Sequence, residues 1–405
     1  MRQLTGIESG VLFVQETHLV ENRTPCIAEG LRRVLFCSRA TLFSGPGGDT
    51  VQILKTAEYL RSLGCEVEIS VDPDAAVEGF DILHLFNLTR PQGIYRQAEK
   101  ARHQGIPVVL SPIYVDYREA DRAARGPLAR LLFRCMPGSI AEYLKMVARV
   151  VVNREVNRGT AIVLRKGFRS AQRELIEMSS MMLPNSESEM SRIRRDFAEA
   201  KGSKYAVIPN AIDSHLFDPK HTLIAQEYKD CVLSVGRIER RKCQLELMRA
   251  LKGTGLKLVL IGKPGPNHLK YFEQIQREAD ETVSFIGQVD HSELPRYYAA
   301  CKVHALVSWM ETTGLSSLEA GAMGANIVIT AKGDTRDYFG DLAYYCSPGS
   351  VDSIRAAVLA AHDAPRSPLL RNRILQRYTW DNTAQCTMRA YQDVLCGAQH
   401  SSINS

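Results

Sequence analysis

The stretch "VHALVSWMETTGLSSLEAGAMGANIVIT", residues 303–330, decides the fold class. "VHALVSW" is a short, mostly apolar run that reads as a strand, and "ANIVIT" reads as another. Between them "LSSLEAGAMG" has helical spacing, small side chains and a closing glycine. Strand, loop, helix, strand is the unit of a parallel sheet covered by helices. The same stretch raises the functional question, because it places Glu311 on the loop, Gly314 at the helix start and Glu319 inside the helix.

The unit recurs in both directions. On the N-terminal side of this stretch "CVLSVGRI" (231–238), "KLVLIGKPG" (257–265) and "TVSFIGQV" (282–289) are further apolar strands separated by helical segments. Far upstream the rhythm appears again. "RRVLFCS" (32–38) is a strand, "SGPGGDTVQ" a glycine-rich loop and "TVQILKTAEYLRSLG" a helix ending at Gly64. "CEVEISV", "FDILHLFN" and "IPVVLSPI" follow as strands, with "SSMMLPNSESEM" a strand running into a capped helix start. "YAVIPNAIDSHLFDP" (205–219) is a short strand and a Pro/Asn/Asp-rich connector, where the domain boundary falls. The expectation is two Rossmann-like α/β domains, 1–212 and 213–380, followed by an amphipathic C-terminal helix over 381–397 and a disordered tail "GAQHSSINS".

Two domains also suit a chain of 405 residues. Its ten cysteines form neither a C-x-x-C pair nor a Cys/His cluster at metal spacing, so reduced, buried thiols of a cytoplasmic protein are expected. The first 25 residues make a poor signal peptide, and no run of about 18 apolar residues suggests a membrane span. The net charge of +6 is too modest to indicate nucleic acid by itself.

Open parallel sheets take ligands at the carboxyl ends of their strands, so the loops there carry the candidate chemistry. Gly314 lets a ligand approach the free N–H groups of a helix start, a natural anion site. Glu319 is placed to accept hydrogen bonds from a diol such as ribose. Glu311 beside a phosphate makes sense only against hydroxyls or cations. In "SVGRIERRK", Gly236, Arg237 and Lys242 put two cations beside a strand end, which suits a diphosphate. "FSGPGGDT" (43–50), with Gly47 and Gly48, is either a tight turn or a cradle for anionic or sugar oxygens; neither common nucleotide signature fits it.

Taken together, these stretches resemble the family 4 retaining glycosyltransferases, which have the GT-B fold. Glu311 and Glu319 match the family's E-x7-E motif, and Gly236, Arg237 and Lys242 its Gly-Arg-x4-Lys motif. "VSFIGQVDHSELPRYYAAC", "IPNAIDSHLFDP" and "YTWDNTAQCTMRAYQDVL" match three more family patterns in the family's order, and the similarity runs over residues 32–397. The resemblance implies that Arg237 and Lys242 hold the diphosphate of a nucleotide-sugar and that Glu319 binds its ribose. It implies that Glu311, with the backbone of Thr313, Gly314 and Leu315, meets the transferred sugar and phosphates. Ile286 and Gly287 would sit near the base, Gly47 and Gly48 would approach from the N-terminal domain, and the C-terminal helix would cross back to that domain. No cofactor or metal is implied beyond the sugar nucleotide. One departure concerns the loop "VVLSPIYVDY" (108–117), where many members carry a His and this chain has none. Tyr114, Asp116 or Tyr117 would fill that space on the acceptor side; His84, at the end of another strand, is either on that side or a core residue.

The expected activity is transfer of a sugar from a nucleoside diphosphate to a hydroxyl of a glycan or lipid-linked acceptor. The alternatives are another GT-B activity, such as an epimerase, or a non-catalytic scaffold. Between Arg118 and Arg173 lie eleven arginines and two lysines against four acids, with apolar groups interleaved. This insert, about 118–175, fits either a basic amphipathic surface on an anionic membrane, with a peripheral location on its inner face, or a helical elaboration whose apolar side packs on the domain.

Overall fold

The computed structural model describes residues 33–45, 47–116 and 158–403. In the first domain the strands are β1 (Arg33–Cys37), β2 (Glu66–Ser70), β3 (Ile82–Phe86), β4 (Val108–Ser111) and β5 (Met181–Met182). The helices are α1 (Gly48–Ser62), α2 (Tyr95–His103), α3 (Arg158–Lys166), α4 (Phe168–Met178) and α5 (Glu187–Asp196). The five strands form one parallel sheet in the order β2-β1-β3-β4-β5.

The second domain alternates β6 (Val232–Val235), α6 (Gln244–Leu251), β7 (Leu258–Ile261), α7 (Leu269–Glu278), β8 (Val283–Gly287), α8 (Leu294–Ala300), β9 (Val303–Leu306), α9 (Leu315–Ala322), β10 (Asn326–Thr330), α10 (Thr335–Phe339) and β11 (Tyr344–Cys346). It continues through α11 (Val351–Asp363), α12 (Pro368–Arg377) and α13 (Trp380–Ile403). Its six parallel strands run β11-β10-β9-β6-β7-β8. Counted from β6, this is the doubly wound order whose direction reverses between β6 and β9. That reversal opens a crevice where the loops after those two strands part.

Most of the strands are apolar because helices cover both faces; the edge strand β2 alternates, with Glu66 and Glu68 exposed. β1, β3, β4, β7, β9 and β10 are buried almost end to end, as parallel sheets require. On one side of the second sheet Leu318, Tyr298 and Phe339 pack with Leu233 and Ile327. On the other, Leu247, Ile275 and Val358 pack with Val232 and Val328. Helix α13 leaves this domain and lies along α1 of the first. Its Tyr391 hydroxyl bonds His84 Nδ1 at 2.6 Å, and Thr383 Oγ1 donates to the Pro209 carbonyl at 2.8 Å.

Several local expectations are corrected. "YAVIPNAIDSHLFDP" is no strand; Tyr205 and Ile212 make isolated bridges, to Met182 and Thr379, within an otherwise irregular connector. β11 has no counterpart in the sequence reading, because "YYC" is short and only partly buried. The tail expected to be disordered is helical as far as Ile403. Most of the Arg-rich insert, residues 117–157, lies outside the described residues, including Tyr117. The part described, α3 and α4, is built into the first domain: Val163, Phe168, Ala171, Leu175 and Ile176 join its core. The apolar side of α4 is therefore already occupied.

Candidate functional site

The loop after β6 begins at Gly236, whose φ of 143° lies outside the range of ordinary L-residues. The backbone angle and not space calls for glycine: a Cβ there would meet Lys242 Nζ at 3.5 Å, an ordinary contact. The chain then passes through a single turn, Arg240–Lys242, before α6. Lys242 folds back to the loop after β9 and pairs with Glu311, Nζ to Oε1 at 2.9 Å. Arg241 stands 3.9 Å from the same oxygen and donates to the Met310 carbonyl at 3.2 Å. Burial alone would raise the Glu311 carboxyl, but Lys242 and Arg241 hold it below its ordinary value. Arg237, half exposed, pairs with Glu239 at 3.1 Å, and Glu239 also takes Arg241 at 3.0 Å. The expected cations and the expected acid thus meet in one ionic network at the crevice between β6 and β9.

Gly314 caps α9 with a φ of 77°, which turns the chain into the helix and aims its N-terminal N–H groups at the same crevice. Side chains of Ile329 and Leu306 would lie 3.1 and 3.3 Å from a Cβ here, so the position admits no larger residue cheaply. Thr313 is buried, and its Oγ1 accepts from Asn210 Nδ2 at 3.0 Å. Leu315 reaches the first domain: a Cβ built on Gly48 would be 3.9 Å from its Cδ1. Gly47 caps α1, its N–H donating to Thr50 Oγ1 at 3.1 Å. The glycine-rich loop of the N-terminal domain therefore faces the start of α9. At the next strand ends, Ile286 lies half-buried against the core, and the Gly287 carbonyl accepts from Gly262 N at 2.6 Å.

Glu319 is 9% exposed, and both its oxygens are engaged. Oε1 lies 2.8 Å from His291 Nε2, and Oε2 accepts from the Tyr298 hydroxyl at 2.9 Å. His291 and Tyr298 escape the sequence reading, as does Arg39. Arg39 follows β1 and braces the glycine-rich loop, bonding Asp49 at 2.7 and 3.0 Å, the Thr41 carbonyl at 2.6 Å and the Gly45 carbonyl at 3.0 Å. An arginine ten residues ahead of an aspartate carries no spacing signal of its own.

On the acceptor side the expectations change. His84 is a core residue: it is fully enclosed, with Nδ1 on Tyr391 and Nε2 2.9 Å from Ser111 Oγ. Burial drives its pKa down to about 3, so the ring is neutral. Tyr114 is held at every polar atom. Its N–H donates to Glu189 at 2.6 Å, its hydroxyl to Asp196 at 2.9 Å, and its carbonyl accepts from Arg192 at 3.3 Å. Asp116 pairs with Arg195 at 3.4 Å. Among the described residues of this loop, Val115 packs on Met310 and Trp309 of the loop after β9. Beside it Arg192 pairs with the fully buried Asp334, which follows Gly333, the bridge partner of Glu311. Asp337 accepts from the N–H and the hydroxyl of Ser188 at 2.9 and 2.7 Å, joining α10 to the start of α5. Among the described residues, no group of three His, Cys, Asp or Glu side chains converges to hold a metal ion.

Residues 220–376 match the family described as glycosyl transferases group 1. That segment belongs to this family. The resemblance read from the motifs stands. The chain is 27% identical over 250 residues to the D-inositol 3-phosphate glycosyltransferase of Stackebrandtia nassauensis, covering 55% of this chain and 56% of that one. It is 27% identical over 184 residues to the O-antigen chain mannosyltransferase B of Escherichia coli, covering 43% and 48%. The matches thus span about half the length of these curated relatives. Among solved structures, sucrose-phosphate synthase from Thermosynechococcus elongatus superposes with a TM-score of 0.64 at 15% identity, covering 90% of this chain and 100% of that one. Anabaena HepE in complex with UDP gives 0.59 at 14%, covering 90% and 100%. At such identities the likeness shows the fold, which is GT-B: two parallel-sheet α/β domains with the group 1 segment in the second.

Proposed function

We propose that this protein transfers a sugar from a nucleoside diphosphate sugar to a hydroxyl of a glycan or lipid-linked acceptor, with retention of anomeric configuration. The observation that carries the reading is the junction of Lys242, Arg241 and Glu311 at the start of α9. A leaving diphosphate gains negative charge in the transition state. Lys242, Arg237 and the α9 N-terminus form a preorganised positive field for it, at the place where a doubly wound sheet takes its ligand. The diphosphate competes with Glu311 for Lys242, and the carboxylate so released meets the hydroxyls of the sugar. The names of the relatives and the UDP bound to HepE support a nucleotide-sugar donor.

The acceptor lies on the first-domain side, between the loops of Gly47 and Val115. The basic residues of 118–157 supply an anionic membrane contact for a lipid-linked acceptor. Flotation with anionic vesicles, wild type against an Arg-to-Glu variant of that segment, tests the contact. Hydrolysis of the donor over a panel of uridine, guanosine, adenosine and cytidine diphosphate sugars tests the main reading. One or a few donors are expected to be cleaved, and cleavage of none would remove the transferase assignment.

A further inference from the structure

Glu319 is the one acid of the pair whose two oxygens are held from one side. His291 comes from the turn that follows β8, and Tyr298 from α8, so two neighbouring elements grip a carboxylate on a third. Behind them Phe217 is fully buried, edge-on to His291 at 5.3 Å and tilted against Tyr298 at 5.9 Å. This wall leaves the carboxylate no freedom to turn. A carboxylate has about four acceptor positions, so each held oxygen keeps one for a ligand. Two fixed acceptors side by side match a vicinal diol.

Resting on the function proposed above, we infer that His291 is a positioning residue: it holds Glu319 in the orientation that accepts both ribose hydroxyls of the donor nucleotide. His291 thereby sets the preference for ribonucleotides over deoxyribonucleotides without touching the reacting atoms. The other charged groups facing it are Lys55 of α1 and Asp213 of the connector, which pair with each other at 3.3 Å and leave Glu319 as its own partner. Glu319 also raises the His291 pKa, which fits a donor pointed at a carboxylate.

The test uses the full chain and calorimetric titration with ADP, GDP, UDP and CDP, carrying the tightest forward with its 2′-deoxy and 3′-deoxy forms. The wild type is expected to bind the ribonucleotide about tenfold or more tightly than either deoxy form, the scale of a lost hydrogen bond to a charged group. His291→Phe should lose most of that ratio by weakening the ribonucleotide alone. In donor cleavage its KM should rise while kcat holds, and His291→Gln, which keeps an N–H donor, should recover part of the ratio. An unchanged ratio in His291→Phe overturns the inference, as does an equal loss for ribo and deoxy ligands, which would be plain damage to packing. A wild type that binds the diphosphate without preferring ribose overturns the inference and leaves the transferase reading standing. A wild type that binds no nucleoside diphosphate removes both.

Discussion

The loops at the ends of the two sheets face one another, and they are built on different plans. Those of the second sheet carry charged residues in close sequence spacing: Arg237 and Lys242 after β6, and Glu311 after β9 with Glu319 eight positions on in α9. In the first sheet Arg39 braces the glycine-rich loop locally, while the loop after β4 is held across long separations. Glu189 takes the Tyr114 N–H across 75 positions, and Arg192 reaches Asp334 across 142. The first plan gathers charge at the crevice where the donor is proposed to bind, and the second fixes backbone. Mutations should therefore damage chemistry on one side and stability on the other.

The largest effect expected of a single change is on the donor side. Lys242→Ala removes a cation from the crevice and leaves the Glu311 carboxylate without its nearest charged partner, with Arg241 at 3.9 Å as the remaining cation. Loss of one preorganised stabiliser of transition-state charge typically costs about 10²–10³-fold in kcat. Donor cleavage within tenfold of wild type would break the distinction between the two sides. A melting curve close to wild type would show that the loss is one of chemistry.

The next test belongs to the acceptor side. Burial, then the charge of Asp334, pushes the Glu189 carboxyl from 4.5 up to about 7, against the pull of Arg192 and the N–H groups of Tyr114 and Asn185. A group that binds its proton more tightly when folded gives stability below its unfolded pKa and loses it as pH rises through the folded one. Between pH 4.5 and 7 this amounts to roughly 3 kcal/mol. His84 slopes the other way: its pKa of about 3 lies below 6.5, so its contribution is present above 6.5 and fades as pH falls. The informative quantity is thus the difference between wild type and Glu189→Gln in urea melts at pH 5 and pH 8. The variant should be less stable throughout, because its amide N–H2 opposes a backbone N–H, but its stability should fall less over that interval. Parallel falls in the two proteins would show that Glu189 titrates as an ordinary carboxyl.

A smaller effect separates a core histidine from an acceptor contact. His84→Phe leaves the Tyr391 hydroxyl and Ser111 Oγ without their shared ring. Each unmet buried polar group costs about 1–3 kcal/mol, reduced here where a hydroxyl can turn to a new partner, so a loss of about 2 kcal/mol is expected. Donor cleavage should be unchanged. A variant of normal stability that fails to transfer would return His84 to the acceptor side.

The fold was legible because alternating apolar runs and helices admit few topologies, and the charged crevice because its residues fall in two short groups, 236–242 and 311–319. Register and switch point add meaning to the spacing: Gly236 and Gly314 follow the two strands, β6 and β9, between which the sheet reverses. What escaped was tertiary. His291 holds Glu319 from 28 positions away, and Glu189 looks in sequence like a first-turn helix acid. Nothing in "VVLSPIYVDY" says that Val115, not Tyr114 or Asp116, meets Met310, because that depends on which polar atoms Glu189, Asp196 and Arg195 have taken. The basic excess was legible as charge but not as geometry, since two arginines of α4 serve the domain itself.

Those arginines give the smallest prediction. Arg169 lies over the Phe197 ring at 4.6 Å, while Arg173 pairs with Glu199 at 3.4 Å on the outer side of the helix. At 52% exposure the Arg173 side chain is well solvated, and an exposed pair of this kind contributes little. Arg173→Ala should shift stability by less than about 0.5 kcal/mol in urea melts and leave vesicle flotation as it was. A cost above about 1 kcal/mol would mean that the charged side of α4 is as much part of the scaffold as its buried side. Lost flotation would move the membrane contact from residues 118–157 onto α4, whose apolar side the core has already covered. That contact would then have to be electrostatic alone, and would weaken steeply as salt is raised.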